Sequence, residues 1–180
     1  MLAKIATVIF LLNSVIHYLA TSRVFDRPDG AGKKLSYAML AFITATVSLT
    51  VLALYAGSTS GLRFSVALIL MAISLLLFLS TCRANIETKL TPIYSTNTPV
   101  HLVTKGPYRF IRHPFYSAYL LNYVGIAVVS SSIPALLAVA LVYGIYHHAT
   151  TVEEQKFSHS PLADDYALYK RKAGRFLPAL

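Results

Sequence analysis

Apolar positions along this chain fall in long unbroken blocks, separated by short segments that hold nearly every charge. The first block, Ile5 to Ser22, has 18 residues without Asp, Glu, Lys or Arg. As a helix it would be about 27 Å long, close to the roughly 30 Å of bilayer hydrocarbon. The second, Leu35 to Leu62, has 28 such residues and ends in the turn-like cluster Ala56-Gly57-Ser58-Thr59-Ser60-Gly61, so its span is expected from Leu35 to Tyr55. Phe64 to Cys82 adds 19 more, a third span in a hairpin with the second. From Arg83 to Arg112 the chain turns polar, with Thr91-Pro92 and Thr96-Asn97-Thr98-Pro99 as breakers, the pattern of an extramembrane loop. The last block, His113 to Val152, runs 40 residues without a Lys, Arg, Asp or Glu, about 60 Å as one helix and twice the hydrocarbon thickness. It must fold back on itself. Ser130-Ser131-Ser132-Ile133-Pro134 supplies the turn, giving a fourth span from Pro114 to Val129 and a fifth from Pro134 to about Thr150.

Composition agrees with this pattern: 56% of residues are hydrophobic and 13% charged, with a mean hydropathy of +0.59. Together they predict an all-α integral membrane protein, with five transmembrane helices and a short cytoplasmic C-terminal helix. Residues 1–180 read as one membrane domain: three N-terminal spans (1–82), a cytoplasmic loop (83–112), a helical hairpin (113–152) and a cytoplasmic C-terminal segment (153–180). A net charge of +9 would point to nucleic acid in a soluble chain, but here it is topology. The segments after spans one, three and five hold 14 of the 16 Lys and Arg residues, leaving Lys4 and Arg63 opposite. By the positive-inside rule the N-terminus is outside and the C-terminus cytoplasmic. The rival reading of the first block, a secretory signal, is opposed by Arg23, Arg27, Lys33 and Lys34 directly after it. Cys82, the only cysteine, has no partner for an internal disulfide and reads as a structural thiol.

Polar residues inside the spans are few. Asn13 and His17 lie i, i+4 on one face and are expected to make interhelical hydrogen bonds. Thr44, Ser48 and Tyr55 mark a packed face on span two. The densest chemistry sits at the edge of the fourth span, in Leu102 to Tyr116, where Lys105, Arg109, Arg112, Gly106, Pro107, Pro114 and His113 crowd together. Pro114 suits the first position of a helix, and free N–H groups at that start, with Arg109, Arg112 and His113 nearby, would suit a carboxylate or phosphate. At the exit of the fifth span, His147, Thr151 and Glu154 share a face at i, i+4 and i+7 beside Glu153. In the tail, Ser160-Pro161 predicts a helix start, Asp164 and Asp165 occupy its early turns, Lys170, Arg171 and Lys172 its last, and Gly174 its end. Leu162, Tyr166, Tyr169 and Ala173 form an apolar stripe expected to pack on the ends of spans four and five. Six histidines raise a metal reading, but no His-x-x-x-His pair exists, so no metal site is expected.

Thr104-x-Gly106-Pro107-Tyr108-x-x-x-Arg112-His113-Pro114-x-Tyr116, followed after a helical hairpin by Glu153-Glu154, Tyr166-x-x-Tyr169 and Arg175-x-x-Pro178, resembles the isoprenylcysteine carboxyl methyltransferase family and its phospholipid methyltransferase relatives. The resemblance covers His101 to Pro178. The first three spans are similar only in being hydrophobic, and the family usually has Leu at the position of Phe157 and Phe-Gly at Leu162-Ala163. What it implies is methyl transfer from S-adenosylmethionine at the membrane–cytosol boundary to a lipophilic small-molecule or lipidated acceptor, with membrane lipids as surroundings. It places Tyr108, His113, Pro114, Tyr116, Tyr166 and Tyr169 against the cofactor, and Arg112, Glu153, Glu154 and Arg175 at the chemistry. A carboxylate acceptor such as a prenylcysteine would need only alignment and steering by Arg112 or Arg175. An amine or thiol would need a base, from Glu153, Glu154 or His147. A nicotinamide-dependent sterol-type reductase and a non-enzymatic membrane partner protein are the alternatives.

Overall fold

A computed structural model describes residues 1–24, 59–86, 99 and 101–179. The second predicted span, with Thr44, Ser48 and Tyr55, and residues 87–98 and 100 of the polar loop lie outside the described residues. Those described are helical, with no strand among them: α1 (Leu2–Val24), α2 (Gly61–Ala84), a 3-10 turn (Gly106–Arg109), α3 (Pro114–Ser130), α4 (Ile133–Ser158) and α5 (Ala163–Lys172). Three of them, α1, α2 and α4, are long and apolar enough to cross a membrane. They correspond to predicted spans one, three and five. α3, the predicted fourth span, has 17 residues.

The turn between α3 and α4 falls where the serine run put it. Ser131 takes a left-handed conformation (φ 45°), and Ser132 caps α4 by accepting from Ala135 N–H at 3.4 Å, with Pro134 in the first turn. Unlike the predicted fifth span, α4 continues two turns past Thr150 and carries Glu153 and Glu154 on rigid helix beyond the apolar stretch. α5 starts two residues later than expected. Ser160 and Pro161 form the preceding turn, in which the Ser160 hydroxyl accepts from Leu162 N–H at 3.1 Å, because that geometry satisfies the donor before the helix begins.

Helices α1, α2 and α3 share an apolar core of Ala6, Phe10, Ala67, Met71, Tyr123, Ile126 and Val129, to which α4 adds Val142 and Tyr146. A polar clasp crosses it. Asn13 donates to Met71 O at 3.1 Å and to Asn122 Oδ1 at 3.3 Å, Asn122 donates to Ser14 Oγ at 3.3 Å, and Ser74 donates to Ala118 O at 2.6 Å. Asn13 is thus the interhelical bond its position suggested. Bonds of this kind contribute modestly, because helices separated in lipid find other partners. Asn13→Leu is expected to lower stability by about 1 kcal/mol, read as a fall of a few degrees in the melting temperature in detergent.

Candidate active site

The site is assembled by backbone before any side chain reaches it. Gly106 opens the 3-10 turn at φ 61°, a left-handed conformation that suits glycine. The chain after it pairs in parallel with the tail through an Ile111–Gly174 bridge. Gly174 N–H donates to Phe110 O at 3.0 Å, Arg112 N–H to Gly174 O at 2.7 Å and His113 N–H to Arg175 O at 3.1 Å. Ser117 Oγ adds a bond to Phe176 O at 2.7 Å. The tail is therefore strapped along the entrance of α3. The His113 N–H, at the cap of α3, is taken by the Arg175 carbonyl, and Arg109, expected beside the helix start, is exposed and lies over the Phe110 ring at 5.7 Å.

The side chains converge instead on Glu154, whose carboxylate is buried with 5% of its area exposed. Arg112 donates to Oε1 from Nε (3.1 Å) and Nη2 (3.0 Å). Arg175 donates to Oε1 from Nε (3.1 Å) and to Oε2 from Nη2 (2.9 Å). Lys170 Nζ stands 3.4 Å from Oε2. His113 Nε2 lies 3.2 Å from Oε1, and its Nδ1 lies 3.6 Å from Glu153 Oε2. The remaining Arg112 nitrogen, Nη1, bonds the carbonyls of Lys170 and Ala173, at the C-terminal end of α5. Arg175 Nη1 reaches back to His147 Nε2 at 3.0 Å and Thr151 Oγ1 at 3.4 Å. The predicted face of His147, Thr151 and Glu154 is real, and one arginine reads all three.

Aromatic residues wall the node. Tyr169 Oη donates to Tyr108 O at 2.6 Å, and Tyr108 Oη accepts from Asn85 Nδ2 at 3.1 Å. Tyr166 stacks on Phe157 at 4.7 Å and 12°, so the atypical Phe157 is part of the packing under α5, with Tyr169 and Ala173. Tyr166 Oη is buried with no partner in full hydrogen-bond geometry among the described residues, and Arg112 stands close enough to act on it both as a charge and as a donor. Pro114 is buried at the first position of α3, and Tyr116 faces His113 at 6.0 Å and Tyr146 at 4.9 Å. Asn85 and Phe176 were not singled out by sequence, and Lys170 was not among the expected site residues. Lys170 had a signal, since it follows Tyr166 by one turn, but it read as an ordinary helix-end cation.

Burial would raise the Glu154 carboxyl, but hydrogen bonds from His113 and Arg175 and the Arg112 charge hold it well below the usual carboxylate range. Burial likewise works to lower His113, and the Glu153 and Glu154 carboxylates outweigh it, raising the imidazole above its ordinary 6.5. A group raised on folding stabilises fully below its unfolded value and loses that contribution as pH climbs through its folded one. Melting temperature is therefore expected to fall as pH rises above about 6.5, and His113→Gln should flatten that slope; an unchanged slope in the variant would rule out His113 as its source.

Three helices long and apolar enough to cross a membrane, with one charged node where α3, α4 and the tail meet, mark the class as a membrane protein with a polar site. Residues 62–160, more than half of the chain, match the phospholipid methyltransferase family, and the chain belongs to it. The match begins in α2, so the third predicted span is part of the family likeness rather than merely hydrophobic. Among curated relatives, the cobalt-zinc-cadmium resistance protein CzcN of Cupriavidus metallidurans is 33% identical over 79 residues, covering 44% of this chain and 36% of that protein. The nickel-cobalt-cadmium resistance protein NccN of Alcaligenes xylosoxydans xylosoxydans is 33% identical over 81 residues, covering 44% and 37%. The matches thus span just over a third of the length of these relatives.

Proposed function

We propose that this protein is an S-adenosylmethionine-dependent methyltransferase acting at the membrane–cytosol boundary on a lipophilic acceptor that carries a carboxylate. The observation that carries this reading is the Glu154 node, where the entrance of α3, the exit of α4 and the tail meet within 3.4 Å of one carboxylate. The reading includes five spans and a cytoplasmic node, because the Lys and Arg residues flank the ends that converge there. It also treats residues 1–180 as one membrane domain.

The residues present fit the cofactor's functional groups. Tyr166 Oη, buried beside Arg112 with no partner in full hydrogen-bond geometry among the described residues, suits a ribose or amino-acid group. The Glu153 carboxylate, with 34% of its side chain exposed, suits an ammonium, and Tyr108, Tyr116 and Tyr169 suit an adenine edge or face. His113 and Pro114 fix the α3 entrance around them. When bound, the cofactor supplies a methyl group on a sulfonium leaving group. Arg112, Lys170 and Arg175 outnumber the Glu154 charge they surround, so they can hold a second carboxylate in place. Glu154, kept ionised by those cations, is a poor proton acceptor. That favours an acceptor needing no deprotonation: a carboxylate oxygen forms the new ester bond as the carbon–sulfur bond breaks, and no proton moves.

The relatives' names set metal resistance beside this chemistry. Among the described residues no group of three His, Cys, Asp or Glu side chains is placed to hold a metal ion, and in this reading resistance follows from a methylated product. Calorimetry on the detergent-purified chain tests the cofactor: S-adenosylmethionine is expected to bind and NADPH not to. The reverse result would move the assignment to a reductase, and binding of neither would leave a partner protein. Transfer of radiolabelled methyl to farnesyl-cysteine analogues, in preference to lipid extracts rich in amine headgroups, is the expected acceptor result.

A further inference from the structure

Arg112, Arg175 and Lys170 all reach Glu154, yet they are not equally committed. Arg112 directs four of its five N–H groups into the protein: one each from Nε and Nη2 to Glu154 Oε1, and two from Nη1 to the carbonyls of Lys170 and Ala173. Arg175 likewise directs four, to the two Glu154 oxygens, His147 Nε2 and Thr151 Oγ1. Both guanidiniums are held in place by what they already bind. Lys170 is different. Its ammonium carries three N–H groups, and its approach to Glu154 Oε2 at 3.4 Å is longer than the roughly 2.8 Å of a well-made charge-assisted bond. Its side chain is 52% exposed, against 8% for Arg112 and 26% for Arg175, so a ligand can reach it without displacing packed residues.

The stem of that side chain is nevertheless fixed. The Lys170 carbonyl accepts from Arg112 Nη1 at 3.3 Å, and Lys170 lies next to buried Tyr169 and one turn after buried Tyr166 on α5. Arg171 and Lys172, which share the last turn of α5, are exposed and form no ion pair with Glu154. A loosely held ammonium on an anchored backbone, beside a carboxylate already served by two arginines, has capacity for a second anion. An exposed pair such as Lys170 and Glu154 stabilises little, so exchanging one carboxylate for another costs little. We infer that Lys170 is the donor that binds the acceptor's carboxylate, leaving Glu154 to Arg112 and Arg175, and that this contact selects anionic acceptors over neutral ones of the same shape. The inference rests on the methyltransferase reading and deepens it by assigning acceptor selection to one side chain. The cofactor carries a carboxylate too, so the test must separate the two sources.

N-acetyl-S-farnesylcysteine and its carboxamide differ only in that charge. Binding of each to the detergent-purified full chain, saturated with S-adenosylhomocysteine, is measured by calorimetry, as is binding of S-adenosylhomocysteine itself. The wild type is expected to bind the acid about tenfold more tightly than the carboxamide. Lys170→Met should bind the acid about tenfold more weakly and the carboxamide as before, so the preference disappears. Lys170→Gln should repeat that result, which keeps the test intact if one variant misfolds, and Lys170→Arg should retain the preference. Affinity for S-adenosylhomocysteine should be the same in all four proteins. A preference kept in Lys170→Met and Lys170→Gln overturns the inference and leaves the methyltransferase reading standing. Weaker S-adenosylhomocysteine binding in variants that melt like wild type would give Lys170 to the cofactor's carboxylate, and that also overturns it. A wild type that binds no S-adenosylhomocysteine would instead strike the methyltransferase reading, so the two failures are distinguishable.

Discussion

Replacing Glu154 by alanine is expected to destabilise the folded protein by about 3–5 kcal/mol and to abolish cofactor binding. The magnitude follows from what is left behind. Arg112, whose side chain is 8% exposed, would keep its guanidinium in the interior against the carbonyls of Lys170 and Ala173, with no anion beside it. Arg175 is 26% exposed and Lys170 52%, so water relieves part of their cost and the larger share falls on Arg112. Glu154→Gln should be milder, because the amide oxygen still accepts from one guanidinium while the charge is lost. Protonation gives the same loss without a mutation. Since the Glu154 carboxyl is held low on folding, its contribution is present above the ordinary value of 4.5 and fades as pH falls through the folded value. Chemical denaturation in detergent, compared across wild type, Glu154→Gln and Glu154→Ala, reads the ordering directly. A Glu154→Ala protein as stable as wild type would show that the node is solvated rather than structural.

The node also shows where sequence reasoning reaches and where it stops. Spans one, three and five were legible as blocks without charge, and the serine turn before α4 was legible because a Ser cap followed by Pro has one local geometry. The convergence of Arg112, His113 and Glu154 was legible through motif order, since a helical hairpin must return its exit to the level of its entrance. What escaped was set by pairing between distant segments. Nothing local to Gly174 announces a parallel bridge to Ile111, so the tail's place along the entrance of α3 could not be read from the sequence. Lys170 escaped because a cation in a last helical turn has an ordinary local explanation. His17, expected to bond across helices, has no partner for its Nε2 among the described residues, and its ring packs against Phe78 and Tyr119. Local rules reported each residue's preferences; the strap and the helix packing decided which preferences were met.

Gly174→Ala should disable the strap while leaving the membrane helices in place. A Cβ at this position would lie 2.0 Å from Leu177 O and 3.0 Å from Ala179 N, both backbone atoms, so no side-chain rotation relieves the overlap. The tail must leave its path, and with it go the three backbone bonds to Phe110, Arg112 and His113. Arg175 would then withdraw from Glu154 and His147, and Phe176 from its place 6.4 Å from the His113 ring. Loss of several coupled bonds predicts a fall in stability of about 2–4 kcal/mol and at least a hundredfold loss of methyl transfer. Far-ultraviolet circular dichroism should stay near wild type, because α1 to α4 make none of those backbone bonds except at the α3 entrance. Leu177→Ala is the control: its side chain is 75% exposed and the clash is with its carbonyl, so this variant should behave as wild type. A Gly174→Ala protein with full activity would mean that the tail reaches its functional position by another route, and the strap would lose its claim to hold Arg175 at the node.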